Sequence, residues 1–251
     1  AAVPADRAAD DMKLLAALLG GTRDAVTAIS HDDGDATAEY RIRIYRHGDP
    51  LLLADILPLL DHLGFVTVDE QPYEFEVDED TLYLYDIGVL APDGVELDDD
   101  RRADLRQAFD GLLTGAVESD GFNRLILHAG LDVREVEMLR CYARYLRQIG
   151  FSFSQAYLEE TLTEHPDLAA MLVELFEVRG DPTFSGDAAA RDERADEVRQ
   201  RILDALDAIP VLDHDRICRM FLALIDATQR TNYFRDRSTI AIKFDPTAIP
   251  D

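Results

Sequence analysis

The sequence predicts an α+β protein: a part in which strands and helices alternate, followed by a part that is helical almost throughout. Three observations carry this expectation. Glu39–Arg46 alternates, with Tyr40, Ile42 and Ile44 on one side and Arg41, Arg43 and Tyr45 on the other, the two-residue period of a strand with one buried face. Tyr73–Val77 and Thr81–Val89 repeat that alternation across an acidic turn, as a hairpin would. Beyond about Asp120 the apolar residues recur at helical spacing instead. With 47% hydrophobic residues, the 251-residue chain can bury a sizeable core.

Taken in order, Asp11–Leu19 reads as a short helix with Met12, Leu15 and Leu19 on one face, ended by Gly20-Gly21. Asp24–Ser30 holds a weak strand, and His31–Asp35 a loop. After the Glu39–Arg46 strand, Gly48-Asp49-Pro50 turns the chain. Leu51–Leu63 then reads as a helix that Pro58 should kink or restart, since its ring removes a backbone hydrogen bond. Phe65–Asp69 is a further strand ahead of the hairpin. Asp98–Leu113 is a helix whose acidic start suits the helix dipole. Strand, helix, strand, strand, helix is most of a ferredoxin-like βαββαβ unit, with the closing strand supplied either by Asp24–Ser30 or from outside the chain.

In the helical part, Leu131–Ile149 carries two apolar stripes and should meet more than one neighbour. Ser152 with Gln155 reads as a capping box for a helix near Phe153–Thr163. His165-Pro166 starts the next helix, which Gly180 stops. Asp181–Ala188 is a loop. Arg191–Ile209 is an amphipathic helix broken by Pro210, and Asp213 caps a last helix. Ser238–Phe244 is strand-like, and Asp245–Asp251, with two prolines, reads as an exit linker.

The net charge of −26 sets the chain against nucleic acid and anionic membrane surfaces, neither of which is expected as a partner. No apolar run reaches the length of a membrane span, and no signal-peptide layout opens the chain, so a cytoplasmic location is expected. The two cysteines, Cys141 and Cys218, fall in predicted helices and read as small buried apolar residues.

No G-x-G-x-x-G, no G-x-x-x-x-G-K-[ST] and no G-x-S-x-G occurs. The six histidines show no metal-ligand spacing with one another or with the cysteines. His214, between Asp213 and Asp215, reads as exposed or capping. Asp32, Asp33 and Asp35 lack the remaining ligands of a calcium loop. Carboxylates are too abundant for any pair to signal acid/base chemistry. The one arrangement that stands out is a basic stripe, Arg140, Arg144 and Arg147, with Arg134 before it. Its functional reading is an anion site or a docking edge for an acidic neighbouring domain, and the alternative is ion pairing on the helix surface, with Glu137 three residues before Arg140.

Several blocks go beyond generic helix. They are Glu118-Ser119-Asp120-Gly121-Phe122-Asn123-Arg124-Leu125, then Leu139-Arg140-Cys141-Tyr142-Ala143-Arg144-Tyr145-Leu146-Arg147-Gln148, then Arg230-Thr231-Asn232-Tyr233-Phe234 leading to Lys243-Phe244-Asp245-Pro246. With Leu57-Pro58, Leu63-Gly64-Phe65 and Gln71-Pro72-Tyr73, in this order, they resemble the large bacterial NAD-specific glutamate dehydrogenases from about Glu39 onward. The resemblance implies a region before the catalytic domain, made of an ACT-like α/β sandwich followed by an all-α helical bundle segment. It divides the chain into an N-terminal helix and connector (1–36), an ACT-like domain (37–115), a helical domain (116–235) and a strand with exit linker (236–251). It implies no catalytic, cofactor or metal residue here. Substrate lysines and nucleotide-binding glycines would belong to the part that follows, and NAD to the parent enzyme. Lys13 and Lys243, the only lysines, have no plausible motif around them. The implied role is regulation and scaffolding: docking on the catalytic domain of the same chain, a homo-oligomeric parent, and an amino-acid effector as a further ligand. Arg140, Arg144, Arg147, Asn123, Arg230 and Asn232 are the candidate docking residues. The competing class, an independent enzyme, would show a polar pocket with perturbed carboxylates.

Overall fold

The computed structural model describes residues 12–16, 18–21, 24–31, 37–77, 80–235 and 237–250. Residues 32–35 of the expected loop, and Asp11 at the expected start of the first helix, lie outside them. Two compact units follow one another, divided between Asp120 and Gly121.

In the first unit, strands β1 (Ala25–His31), β2 (Tyr40–His47), β3 (Val66–Val77) and β4 (Asp80–Leu90) accompany helices α1 (Leu53–Leu63) and α2 (Asp99–Leu113). The sheet runs β1-β2-β4-β3 with every neighbour antiparallel. The closing strand is therefore β1. The ferredoxin-like order is completed by the segment that precedes it, in register from Ala25 opposite Arg46 to His31 opposite Tyr40. The strands expected separately at Phe65–Asp69 and Tyr73–Val77 are one, β3, and it lies at the sheet edge, where a proline such as Pro72 is tolerated. Likewise α1 runs through Pro58 without a break, although the proline removes the hydrogen bond to the Ala54 carbonyl.

One sheet face carries Ile42, Ile44 and Ile87, all fully buried. The helices are tied to this face. Thr27 Oγ1 donates to Asp110 Oδ1 of α2 at 2.6 Å, and Tyr85 Oη accepts from the Leu51 amide, just before α1, at 2.8 Å. The opposite face was expected to be open, yet Arg41, Arg43 and Tyr45 are buried too. Tyr45 lies against Leu18 and Val26, with Leu14, Leu15 and Leu84 around them. In the segment expected as the first helix it is thus Leu18 that is buried, while Met12 and Leu19 are exposed. Arg41 is neutralised by Asp86 at 2.9 Å and Asp69 at 2.8 Å, which is what allows a guanidinium to be buried. Gly88 lies over that pair: a Cβ there would come within 2.5 Å of Asp69 Oδ2 and 2.8 Å of Arg41 Nη1.

The second unit holds α3 (Arg124–His128), α4 (Val133–Gln148), α5 (Gln155–Glu164), α6 (Pro166–Gly180), α7 (Ala188–Asp207) and α8 (Leu212–Ala227), then a hairpin of β5 (Thr228–Thr231) and β6 (Ile242–Phe244). The capping box is not at Ser152. It belongs to α4, where Asp132 accepts from the Glu135 amide and the Glu135 side chain accepts from the Asp132 amide. Ser154 caps α5, accepting from the Tyr157 amide. Asp213 is not a cap either: α8 starts at Leu212 with Val211 before it, so Asp213 and Asp215 lie in the first turn, where negative charge suits the dipole. Gly180 is the last residue of α6, as expected, and the extended Asp181 follows it; what requires glycine there is a neighbouring side chain. A Cβ there would come within 2.7 Å of the Phe234 ring.

Among the described residues no helix is long and apolar enough to cross a membrane. The first unit is an ACT-like sandwich and the second an all-α segment with one short hairpin.

Candidate functional site

The second unit's helix α4 organises the residues that sequence reading singled out. Its N-terminal Arg134 reaches the far end of the chain, donating to the carbonyls of Tyr233 at 3.0 Å and Arg237 at 3.1 Å, and its guanidinium lies 4.9 Å from the Tyr233 ring centre. Further along, Tyr142 sits edge-on to Phe176 and Phe244, and Tyr145 stacks on Phe244 at 4.3 Å. Asn232 closes the β5–β6 connection: its Oδ1 accepts from the Ala241 amide at 2.7 Å and its Nδ2 donates to the Thr239 carbonyl at 2.9 Å. The Arg230–Phe234 block thus fastens the last strand onto α4.

The basic stripe is divided by the fold. Arg140 is only 2% exposed and donates to Asn123 Oδ1 at 2.8 Å, so both are internal to the helical unit. Arg144 and Arg147 are exposed, and Arg147 donates to Gln155 Oε1 at 3.2 Å. Arg230 lies apart from all three. It lines a cleft of about 490 Å³ together with Arg179, Arg191 and Gln229. Arg179 and Arg191 are held there by backbone carbonyls: Arg179 donates to Asp226 at 3.1 Å, and Arg191 to Asp181 at 2.8 Å. Of the cysteines, Cys218 is fully buried, which pushes its thiol up to about 12, whereas Cys141 is half-buried.

One constellation was missed in the sequence. His165 Nε2 and His214 Nδ1 lie 3.2 Å apart, and Glu164 Oε2 is 3.6 Å from the same nitrogen of His214. His214 was read as exposed or capping. It is instead 6% exposed, turned from the first turn of α8 toward the α5–α6 junction, with the Tyr157 ring 5.5 Å away. Burial, reinforced by His214 beside it, holds the His165 imidazole below its ordinary range. Sequence spacing could not show the pair, because 49 residues and two helices separate its members.

An ACT-like unit followed by a helical unit whose last strand is fastened to its central helix defines a two-unit α+β chain. Three family models match it in succession: the glutamate dehydrogenase ACT3 domain over residues 27–102, glutamate dehydrogenase helical motif 3 over 117–182, and the bacterial NAD-glutamate dehydrogenase catalytic domain over 201–251. Named relatives agree. The NAD-specific glutamate dehydrogenase of Halomonas elongata is 38% identical over 217 residues, 83% of this chain and 13% of that protein. That of Pseudomonas aeruginosa is 37% identical over the same shares. That of Mycobacterium tuberculosis is 34% identical over 100% of this chain and 16% of its own length. The chain belongs to the family of bacterial NAD-specific glutamate dehydrogenases. It spans between 13% and 16% of the length of these relatives.

Proposed function

We propose that the chain is a non-catalytic regulatory and scaffolding segment of an NAD-dependent glutamate dehydrogenase. The whole protein would convert L-glutamate, NAD and water to 2-oxoglutarate, ammonium and NADH, in the cytoplasm. The observation that carries this reading is the succession of ACT3, helical-motif and catalytic-domain matches within one short stretch of much longer relatives. Supporting it, the 251 residues contain neither G-x-G-x-x-G nor G-x-x-x-x-G-K-[ST], and their two lysines stand outside any recognisable substrate motif. NAD and the substrate amine chemistry would then be supplied by the rest of the enzyme.

Within that reading, residues 37–115 form the ACT-like domain and 116–235 the helical domain; the catalytic-domain match begins inside the latter, in α7, so residues 236–251 fall within that match rather than forming a linker ahead of it. Docking on the catalytic domain of the same chain falls to Arg144 and Arg147, which are exposed, while Arg140 and Asn123 brace that helix from within; Arg230 and Asn232 lie inside the catalytic-domain match itself and are set aside as docking residues. The test is direct. The purified chain, shown folded by circular dichroism, is assayed for glutamate-dependent NADH formation, and none is expected. Turnover by the chain alone would defeat the proposal. In the parent enzyme, replacing Arg144 and Arg147 by Ala should weaken assembly measured by light scattering; unchanged mass and activity would remove the docking role. Titration of the chain with a panel of amino acids decides the effector reading, for which no heat with any of them is the negative result.

A further inference from the structure

We propose that Glu164, His165 and His214 form a binding site for one divalent transition-metal ion of the zinc type, which clamps the α5–α6 junction to the start of α8. Among the described residues these three offer one imidazole nitrogen each from two histidines and one carboxylate oxygen, all within 4.8 Å of one another. Tetrahedral zinc with bonds of about 2.0–2.1 Å sets its ligand atoms about 3.3 Å apart. The His165 Nε2 to His214 Nδ1 separation of 3.2 Å and the His214 Nδ1 to Glu164 Oε2 separation of 3.6 Å match two edges of such a tetrahedron. The third edge, between Glu164 and His165, is within 4.8 Å and involves the most exposed of the three side chains, Glu164.

The chemistry of the donors selects the ion. Two imidazoles with one carboxylate suit zinc, cobalt or nickel, whereas magnesium and calcium require oxygen ligands. Three protein ligands leave a fourth position, which a water molecule can fill. Two helix N-termini oppose a cation here, since His165 precedes the first residue of α6 and His214 lies in the first turn of α8. That opposition is modest and is met by carboxylates. Asp213 is in the same first turn, and Glu164 Oε2 lies 3.6 Å from His214 Nδ1. The consequence is mechanical. His165, at the α5–α6 junction, and His214, in α8, are 49 residues apart in the chain, so a shared ion adds a cross-link between elements that already pack together and stabilises the folded state by mass action.

The experiment titrates zinc sulfate into the metal-stripped 251-residue chain, followed by calorimetry and by thermal unfolding. One saturable equivalent per chain is expected, undisturbed by excess magnesium. His165→Gln, Glu164→Gln and His214→Gln should each weaken it at least about tenfold. The zinc-induced rise in Tm should be lost with His165→Gln. Cobalt in place of zinc should give the visible absorption of a four-coordinate site in the wild type and not in His165→Gln. If His214→Gln, the buried position, fails to fold, His165→Gln and Glu164→Gln carry the test, because their side chains are partly or largely exposed. No saturable equivalent would show that the histidines share only a hydrogen bond, and the proposal would fall. Binding of equal strength in all three variants would assign the metal to the acidic surface and overturn it equally.

Discussion

Tyr142 offers the sharpest test of the seam between α4 and the last strand. It is fully buried, and its hydroxyl lies 2.7 Å from Thr228 Oγ1. Thr228 Oγ1 already donates its only proton to the Leu224 carbonyl at 2.9 Å, so Tyr142 must be the donor in the pair. Tyr142→Phe removes that bond while keeping the ring between Phe176 and Phe244. A buried neutral hydrogen bond contributes about 0.5–1.5 kcal/mol net. Thr228 keeps its bond to Leu224, so the variant should lose about 1 kcal/mol. For a unit of this size that is a Tm lower by roughly 3–5 °C. Thr228→Val removes both bonds and should cost more, and the cycle with Tyr142→Phe should return a coupling near 1 kcal/mol. The chain has no tryptophan, so helical circular dichroism in urea is the readout. Burial also raises the Tyr142 hydroxyl well above the ordinary tyrosine range. Because the folded state then holds its proton longer than the unfolded chain, stability must decline as pH rises above about 10, and less so in the Phe variant. A coupling indistinguishable from zero would refute the Tyr142–Thr228 hydrogen bond and the argument from it.

Other substitutions probe separate parts of the fold. Gly88→Ala drives a methyl group into the Arg41–Asp69 pair and should destabilise the ACT-like unit by about 1–3 kcal/mol in urea melts. Gly180→Ala, which a helix would ordinarily welcome, should instead cost stability because its Cβ meets Phe234; a gain in Tm would contradict the close approach. Glu177 is held above the ordinary carboxylate range by burial and by Asp132 and Asp181. Its ionisation therefore opposes folding at neutral pH, and Glu177→Gln should stabilise there, with the gain disappearing as pH falls below about 4.3. His128 is held below the ordinary imidazole range by burial and Arg124. Stability should fall as pH drops below about 6.5, where the unfolded chain protonates first, and His128→Gln should flatten that slope.

What was legible in the sequence was whatever is set by short-range periodicity. Alternation in Tyr40–Tyr45 located β2 and the stop at Gly64 located the end of α1, because a residue in the left-handed region, here at φ 94°, is written in one letter. Alternation cannot report what covers the second face of a sheet. Arg41 and Arg43 read as solvent-facing, yet Asp69 and Asp86, 28 and 45 residues away, neutralise Arg41 within the fold. The same limit split β3 in two, because Pro72 signals a break unless the strand is known to be at an edge. The family blocks reached further than the physics of any one segment. They tied Arg230–Phe234 to the α4 region, and the Arg134–Tyr233 contact shows the bonding behind that association.

The arginine stripe shows why angular position on a helix does not settle exposure. At 100° per residue, Arg140, Arg144 and Arg147 fall within an arc of about 60°, so the sequence makes them equivalent. They differ along the axis. Arg140 is in mid-helix, where the 3-10 turn Gly121–Asn123 presents Asn123 to it; Arg144 lies a turn further on, and Arg147 is in the last turn, beyond the reach of that turn. A substitution at Arg140 therefore removes a buried, charge-assisted hydrogen bond and destabilises the unit whether or not any partner docks. Only Arg144 and Arg147 can separate docking from folding. A triple replacement that included Arg140 would report lost assembly even if no acidic surface ever met this helix.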